Sequence, residues 1–562
     1  MFQASIDPVC GNLLISAIVA CIPLVFFFIC LICFKLKTHV SALLALATSI
    51  IIAVVAFKMP IHLTLFSATE GFAYGILPIA LIMFSAVWFY EITVASGRSV
   101  DLCKLFDNIG KGDIRIQAIL IAFCFGALLE ALAGFGAPIA ITAAMILALG
   151  ISPLKAGITS LVANTAPVAF GAIALPIITA GNMAPGPEGA AATSAHVAAI
   201  TGIIAPLFAT FIPCIALVII DGKKGLKDCF IPALVIGFSF ALTQFLVSNF
   251  FSYQMTDIYA SIISFVVSII FLKYWKPRGV DEFHKRNNIS KPKTSKKEEL
   301  KISRTFMSIL PYILLIIVFG LNQAFPVLSN TDIKFSWPGL TSVNEDGSMQ
   351  SLILNYDGND PGTTFNFSWL SNCGSLIIIT GILVTIIYSI FNEKNRYKMS
   401  IKVAFITMKK TLIRMKYTIL TIACVLSLAY VMNFSGQTAS IGHLIAKTGI
   451  AFAFLSPVLG WVGTAITGSD TSANALFAKL QAEAAKANAV IDVSPDLFLA
   501  SNTMGGVIGK MISPQSLAIA AATMRIAEST IFKKAIKISL ILLLILCVII
   551  FIYAVPLYFL FE

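Results

Sequence analysis

Along most of the chain, apolar residues run on for spanning length with no alternation and no polar stripe. Such runs lie near 12–34, 40–57, 72–90, 197–220, 229–250, 257–273, 306–322, 373–391, 417–433 and 534–560. Crossing ~30 Å of hydrocarbon takes about 20 residues of helix, which each run supplies or approaches. The run at 12–34 is preceded by Asp7 and by no Lys or Arg, so it reads as a first transmembrane helix and not as a cleaved signal. Two longer stretches, about 115–182 and 434–530, are apolar but crowded with Gly, Pro, Ser, Thr and Asn, and they do not divide into clean spans. Backbone groups freed at Gly and Pro are intolerable in lipid unless they line a protein cavity, so these stretches predict hairpins and broken helices. The pattern as a whole predicts an all-α, polytopic integral membrane protein of about 12–14 membrane segments.

Composition agrees: 58% of the 562 residues are hydrophobic and 12% charged, with a mean hydropathy of +0.92. Soluble domains carry ~25% charged residues. A net charge of +12 would suggest nucleic acid in a soluble protein, but here Lys and Arg cluster in short stretches between apolar runs, as they do in cytoplasmic loops. The clusters Lys35/Lys37, Arg98 to Arg115, Lys223 to Lys227, Lys273 to Arg304, Lys394 to Lys416 and Lys533 to Lys537 are therefore predicted inside, and no nucleic-acid partner is expected. Loops 182–192, 251–256 and 323–372 hold almost no Lys or Arg and are predicted outside. Alternation then leaves both termini outside a cell (inner or plasma) membrane. The chain divides into an N-terminal transmembrane half (1–275), a basic cytoplasmic linker (276–305) and a C-terminal half (306–562). The basic, apolar run 401–416 predicts a helix lying along the inner surface. The eleven Cys are scattered, Cys30 and Cys33 form a C-x-x-C with no second ligand pair, and the five His lack metal spacing. No disulfide framework, metal or cofactor is expected.

Self-similarity is the most informative feature. Residues 163–176 read ANTAPVAFGAIALP and 501–514 read SNTMGGVIGKMISP, so that Asn164, Thr165, Gly171 and Pro176 align without a gap on Asn502, Thr503, Gly509 and Pro514. A lone acid lies upstream of each at a closely similar interval, Glu130 in EALAGFGAPIA and Asp470 in GSDTSANALFA. The charge rule gives the two stretches opposite hands. That is an inverted-topology repeat, the architecture of many secondary transporters, whose sites lie near the midplane on discontinuous helices.

The Asn-Thr pairs, with donors and acceptors on short stems, are candidate substrate groups. Glu130 sits within an apolar run where a charged carboxylate is costly, which suits a group that takes up and releases a proton. Asp470, flanked by Ser469 and Thr471, has more polar neighbours and is the second candidate for proton coupling. Lys510 breaks the charge symmetry of the repeat, since Ala172 aligns with it. It is either the counter-ion of an anionic substrate or a structural partner of Asp470. Gly134, Phe135 and Gly136 predict a flexible turn around an aromatic that gates or packs.

At these residues the chain resembles the lactate permease family of bacterial carboxylate symporters, in LEALAGFGAPIAIT (129–142), ANTAPVAFGA (163–172), GSDTSANALF (468–477) and SNTMGGVIGKMISPQS (501–516). The resemblance implies proton-coupled uptake of L-lactate and related 2-hydroxymonocarboxylates such as D-lactate and glycolate, by alternating access. Proton coupling has a physical purpose: an anion entering a negative interior works against ~2.3 kcal/mol per charge per 100 mV. A sodium-coupled di- or tricarboxylate carrier is the alternative. A channel does not need inverted broken helices, and an enzyme needs a nucleophile–base pair or metal ligands that the sequence does not offer. The sequence is silent on oligomeric state.

Overall fold

The structure, a computed structural model, describes residues 1–107, 113–133, 137–287, 301–325, 331–343, 349–392, 397, 399–491 and 493–561. Ten helices among the described residues are long and apolar enough to cross a membrane. The outermost show why. In helix Leu13–Ile32, Leu14, Ile18, Ile22, Val25, Ile29 and Ile32 are exposed while Ala17, Ala20, Leu24 and Phe27 are buried. That spacing makes one apolar stripe for the protein and a second for which lipid is the only compatible solvent. By contrast, segment Ile114–Leu132 is wholly buried and lies at the centre.

Helix Ala190–Phe250 contains both expected runs, 197–220 and 229–250, separated by non-helical backbone at Gly222 and Cys229. The run at 72–90 is one part of a longer element: helix Ile61–Tyr74, a wide turn over Gly75–Ala80, then helix Leu81–Ala95. One expectation is corrected. Residues 401–416 do not form a separate surface helix but continue into helix Ile401–Ser435, because no Gly or Pro interrupts the 35 residues. At 1.5 Å per residue this helix is about 52 Å long and overreaches the hydrocarbon core.

Among the described residues, the few strands are confined to residues 2–3 and 333–367. Phe2 and Gln3 pair in parallel with Ile353 and Leu354, so the N-terminal residues lie at the same end of the molecule as the 331–372 segment.

The two Gly-rich stretches fold as two similar cores. In the first, helix Gly126–Ala133 packs against helix Ala137–Ala148; helix Pro153–Ala163 is then followed by a break and by helix Gly171–Met183. In the second, helix Ala451–Thr467 turns at Gly468–Ser469 into Asp470–Lys486, and Pro495–Lys510 breaks before Pro514–Met524. Asn182, ending the first core, and Asn433, preceding the second, line one cavity of about 670 Å³ together with Asp332, Asn366 and Ser371. Arg115, which opens the first core, is at the other end, bonded to Asp221 and Asp228. The first core therefore ends at the face where the second begins.

Candidate functional site

The two cores meet at an ion pair. Glu130, three residues before the end of helix Gly126–Ala133, is 1% exposed. Its Oε2 accepts from Asn164 Nδ2 at 2.9 Å, and Lys510 Nζ of the other core donates to its Oε1 at 2.5 Å. Gly171 permits this approach, since a Cβ there would sit 3.2 Å from Glu130 Oε1. Lys510 is the last residue of helix Pro495–Lys510, where the helix dipole favours a cation. The sequence offered Asp470 as its structural partner; the structure gives the ion pair to Glu130 instead. Glu130 is thus not a lone acid in an apolar run but half of a link between the repeats.

Asp470 stands just past the tip of the second hairpin, at the N-terminus of its helix, with Ser469 as N-cap accepting from Ser472 N at 3.2 Å. One carboxylate oxygen receives Thr464 Oγ1 and Asn474 Nδ2 at 3.5 and 3.4 Å. The other, Oδ2, is buried with no hydrogen-bond partner among the described residues. A Cβ at Gly506 would fall on the Asp470 carboxylate, so only glycine lets this helix pass the hairpin tip.

Glu130, Asp470, Lys510, Ser469 and Thr471 line one small cavity of about 40 Å³, closed on the side of the first core by Gly171, Ala172 and Pro176. Ser469 and Gln515 also line a wide cavity of about 1450 Å³ with Lys37, Arg414 and Glu528, so the small cavity lies at its inner end. It shares no lining residue with the cavity at the 331–372 end. Ala172, Ile173 and Ala174 have φ of 45°, 60° and 57°, a left-handed turn that L-residues adopt at ~1–2 kcal/mol each. This strained turn forms one wall of the site.

The aligned Asn-Thr pairs do not occupy equivalent places. Asn164 caps helix Pro153–Ala163 and reaches Glu130. Thr165 Oγ1 donates to Val162 O at 2.6 Å and lines a separate cleft with Met504 and Val507. Asn502 and Thr503 lie within a continuous helix, wholly buried, and both donate to Asn474 Oδ1, at 3.0 and 3.1 Å. The difference traces to Pro167, which has no amide hydrogen and disfavours helical backbone before it. Its counterpart Gly505 allows the second helix to continue, close against the Pro457 carbonyl. Asn502 and Thr503 therefore brace the hairpin that carries Asp470 and do not face the cavity, contrary to their expected place in it. Gly134, Phe135 and Gly136 lie outside the described residues.

The sequence reading missed Asn474 and Gln481. Asn474 ties Asp470 to Asn502 and Thr503, and Gln481 Nε2 bonds Asn502 Oδ1 at 3.3 Å and Ser456 O at 2.9 Å. Their signal was present as polar residues at positions 4 and 11 after Asp470, on one helical face.

The sequence pattern of the L-lactate permease family matches residues 16–557. The chain is 38% identical to an L-lactate permease of Bacillus subtilis, with 97% of each chain covered. It is 37% identical to the glycolate permease GlcA of Escherichia coli, with 94% of each covered. A crystal structure of the YdaH transporter of Alcanivorax borkumensis is similar at a TM-score of 0.42 and 15% identity, covering 87% of each chain. With a match across nearly the whole chain and a multi-pass helical membrane fold around a charged central cavity, this protein belongs to the L-lactate permease family.

Proposed function

We propose that the chain carries a small 2-hydroxymonocarboxylate, L-lactate or a close relative such as D-lactate or glycolate, into the cell together with a proton, by alternating access. The observation that carries this reading is the Lys510–Glu130 pair across the two cores. In the empty site, ammonium and carboxylate neutralise each other. A proton on Glu130 frees Lys510 to bind the carboxylate of a substrate, and the site is again neutral. Neither ligand is stable alone: the anion without the proton leaves Glu130 buried and uncompensated, and the proton without the anion does the same to Lys510. That mutual need is symport.

Asp470 Oδ2, open and buried in the same cavity, is placed to accept a 2-hydroxyl from a substrate held on Lys510. The small cavity favours a two- or three-carbon acid over a tricarboxylate. The wide cavity reaching it from the Lys37 and Arg414 end supports an inward-open state, since basic loops mark the cytoplasmic side. By the same rule the N-terminus and segment 331–372 are extracytoplasmic. Family membership supports a transporter over an enzyme.

The test is uptake of labelled lactate into proteoliposomes under an imposed proton gradient or an imposed sodium gradient. Accumulation on the proton gradient alone is expected. Accumulation on the sodium gradient alone overturns the coupling.

A further inference from the structure

A further buried acid lies close to the Glu130 site, on an element outside both cores. Asp257 is 1% exposed, in the first turn of helix Thr256–Tyr274. Its Oδ1 accepts from Gln244 Nε2 at 3.2 Å, and the same amide donates to Ala166 O at 3.3 Å. Ala166 lies in the break of the first core, two residues after Asn164, which holds Glu130. Helix Thr256–Tyr274 packs against helix Gly126–Ala133, which carries Glu130. Asp257 Oδ2 and Gln244 Oε1 are buried with no partner among the described residues. On the other side, Tyr253 and Gln254, one turn earlier on the chain, line the cavity at the 331–372 end.

Polar groups thus lead through otherwise apolar packing from Glu130 and Asn164, past Ala166 and Gln244, to Asp257, which stands three residues after Gln254 at the edge of that cavity. An acid in a membrane segment with a free oxygen on such a path is costly unless it serves the pathway. Packing alone explains neither the acid nor the glutamine, since a threonine or leucine pair would fill the same space with no unpartnered oxygen.

We propose that Asp257 is a proton relay, taking a proton from the cavity at the 331–372 end and passing it to Glu130 while the small cavity is shut off from that end. The step moves one proton: from water to the Asp257 carboxylate, then from the Asp257 carboxyl to the Glu130 carboxylate, with Gln244 holding Asp257 in place. Of the elements packed against the helix of Asp257, Gly126–Ala133 offers Glu130 as its ionisable group. Of the other described elements packed against it, the Leu120–Phe125 turn offers Cys124, bonded to Ser264 further along the helix. The inference rests on proton symport as proposed above.

The test uses full-length protein in proteoliposomes, comparing Asp257→Asn, which keeps the Gln244 bond, with Asp257→Glu and the parent. Net lactate uptake driven by a proton gradient needs proton delivery, whereas exchange of internal for external lactate needs no net delivery of protons. Asp257→Asn is expected to slow net uptake by roughly a hundredfold, in the range of a lost acid–base group, while exchange stays within about twofold of the parent and Asp257→Glu recovers net uptake. Parental net uptake in Asp257→Asn overturns the relay but leaves symport standing. An equal fall in uptake and exchange overturns it in favour of a structural acid. A parent that moves no protons overturns both readings.

Discussion

Replacing Lys510 with Met keeps the length and apolar stem of the side chain and removes the charge that faces Glu130 at 2.5 Å. Deleting one partner of a buried pair costs about 3–5 kcal/mol, because the other charge is left without compensation. Here the lower end applies: Lys510 is 13% exposed at its side chain, and Asn164 still donates to Glu130. Substrate binding loses a charge-assisted contact worth about 1.5–3 kcal/mol. That corresponds to roughly a tenfold to 150-fold weaker lactate binding. Purified protein in lipid nanodiscs allows both quantities to be read, by thermal unfolding and by titration with labelled lactate. The double variant Glu130→Gln with Lys510→Met removes both charges, so it is expected to regain most of the stability and none of the affinity. It also keeps the test open if the single variant folds poorly. Parental lactate affinity in either variant refutes the assignment of Lys510 to substrate and leaves the pair a purely structural link.

Three further outcomes follow from the same geometry. Asp470→Ala is expected to lose discrimination between lactate and propionate, which lacks the 2-hydroxyl, by about fivefold in a competition assay, the worth of one hydrogen bond; unchanged discrimination removes Asp470 from the hydroxyl. Asn474→Ala strips the acceptor from Asn502 Nδ2 and is expected to lower stability by about 1–3 kcal/mol, measured by unfolding, because one buried donor is orphaned while Thr503 keeps its bond to Leu499 O. Gly506→Ala drives a methyl group into the Asp470 carboxylate and is expected to cost about 1–3 kcal/mol and abolish uptake, whereas Gly320→Ala, in open space, changes neither.

The membrane spans were legible because lipid imposes one rule, a long apolar helix, that composition reveals directly. The two cores were legible from a repeat. The site was legible in its membership more than in its pairings. Glu130, Asp470, Lys510, Ser469 and Thr471 do converge, but the Lys510–Glu130 contact bridges 380 residues, and no local pattern encodes it. Asn502 and Thr503 misled because identical letters were read as identical surroundings. The residues at the next turn, Pro167 against Gly505, decide that one copy breaks and the other runs on. Asp257 and Gln244 went unnoticed because each is a single polar residue in an ordinary span, and only packing brings them to the break at 164–170.

The central claim is that Glu130 carries the proton that frees Lys510 for the substrate. Its most direct test is simultaneous recording of labelled lactate uptake and external pH in proteoliposomes bearing the parent or Glu130→Gln. The parent is expected to make the medium more alkaline in step with uptake, while Glu130→Gln exchanges lactate but neither accumulates it on a proton gradient nor changes the pH. A Glu130→Gln protein that still alkalinises the medium as lactate enters contradicts the account.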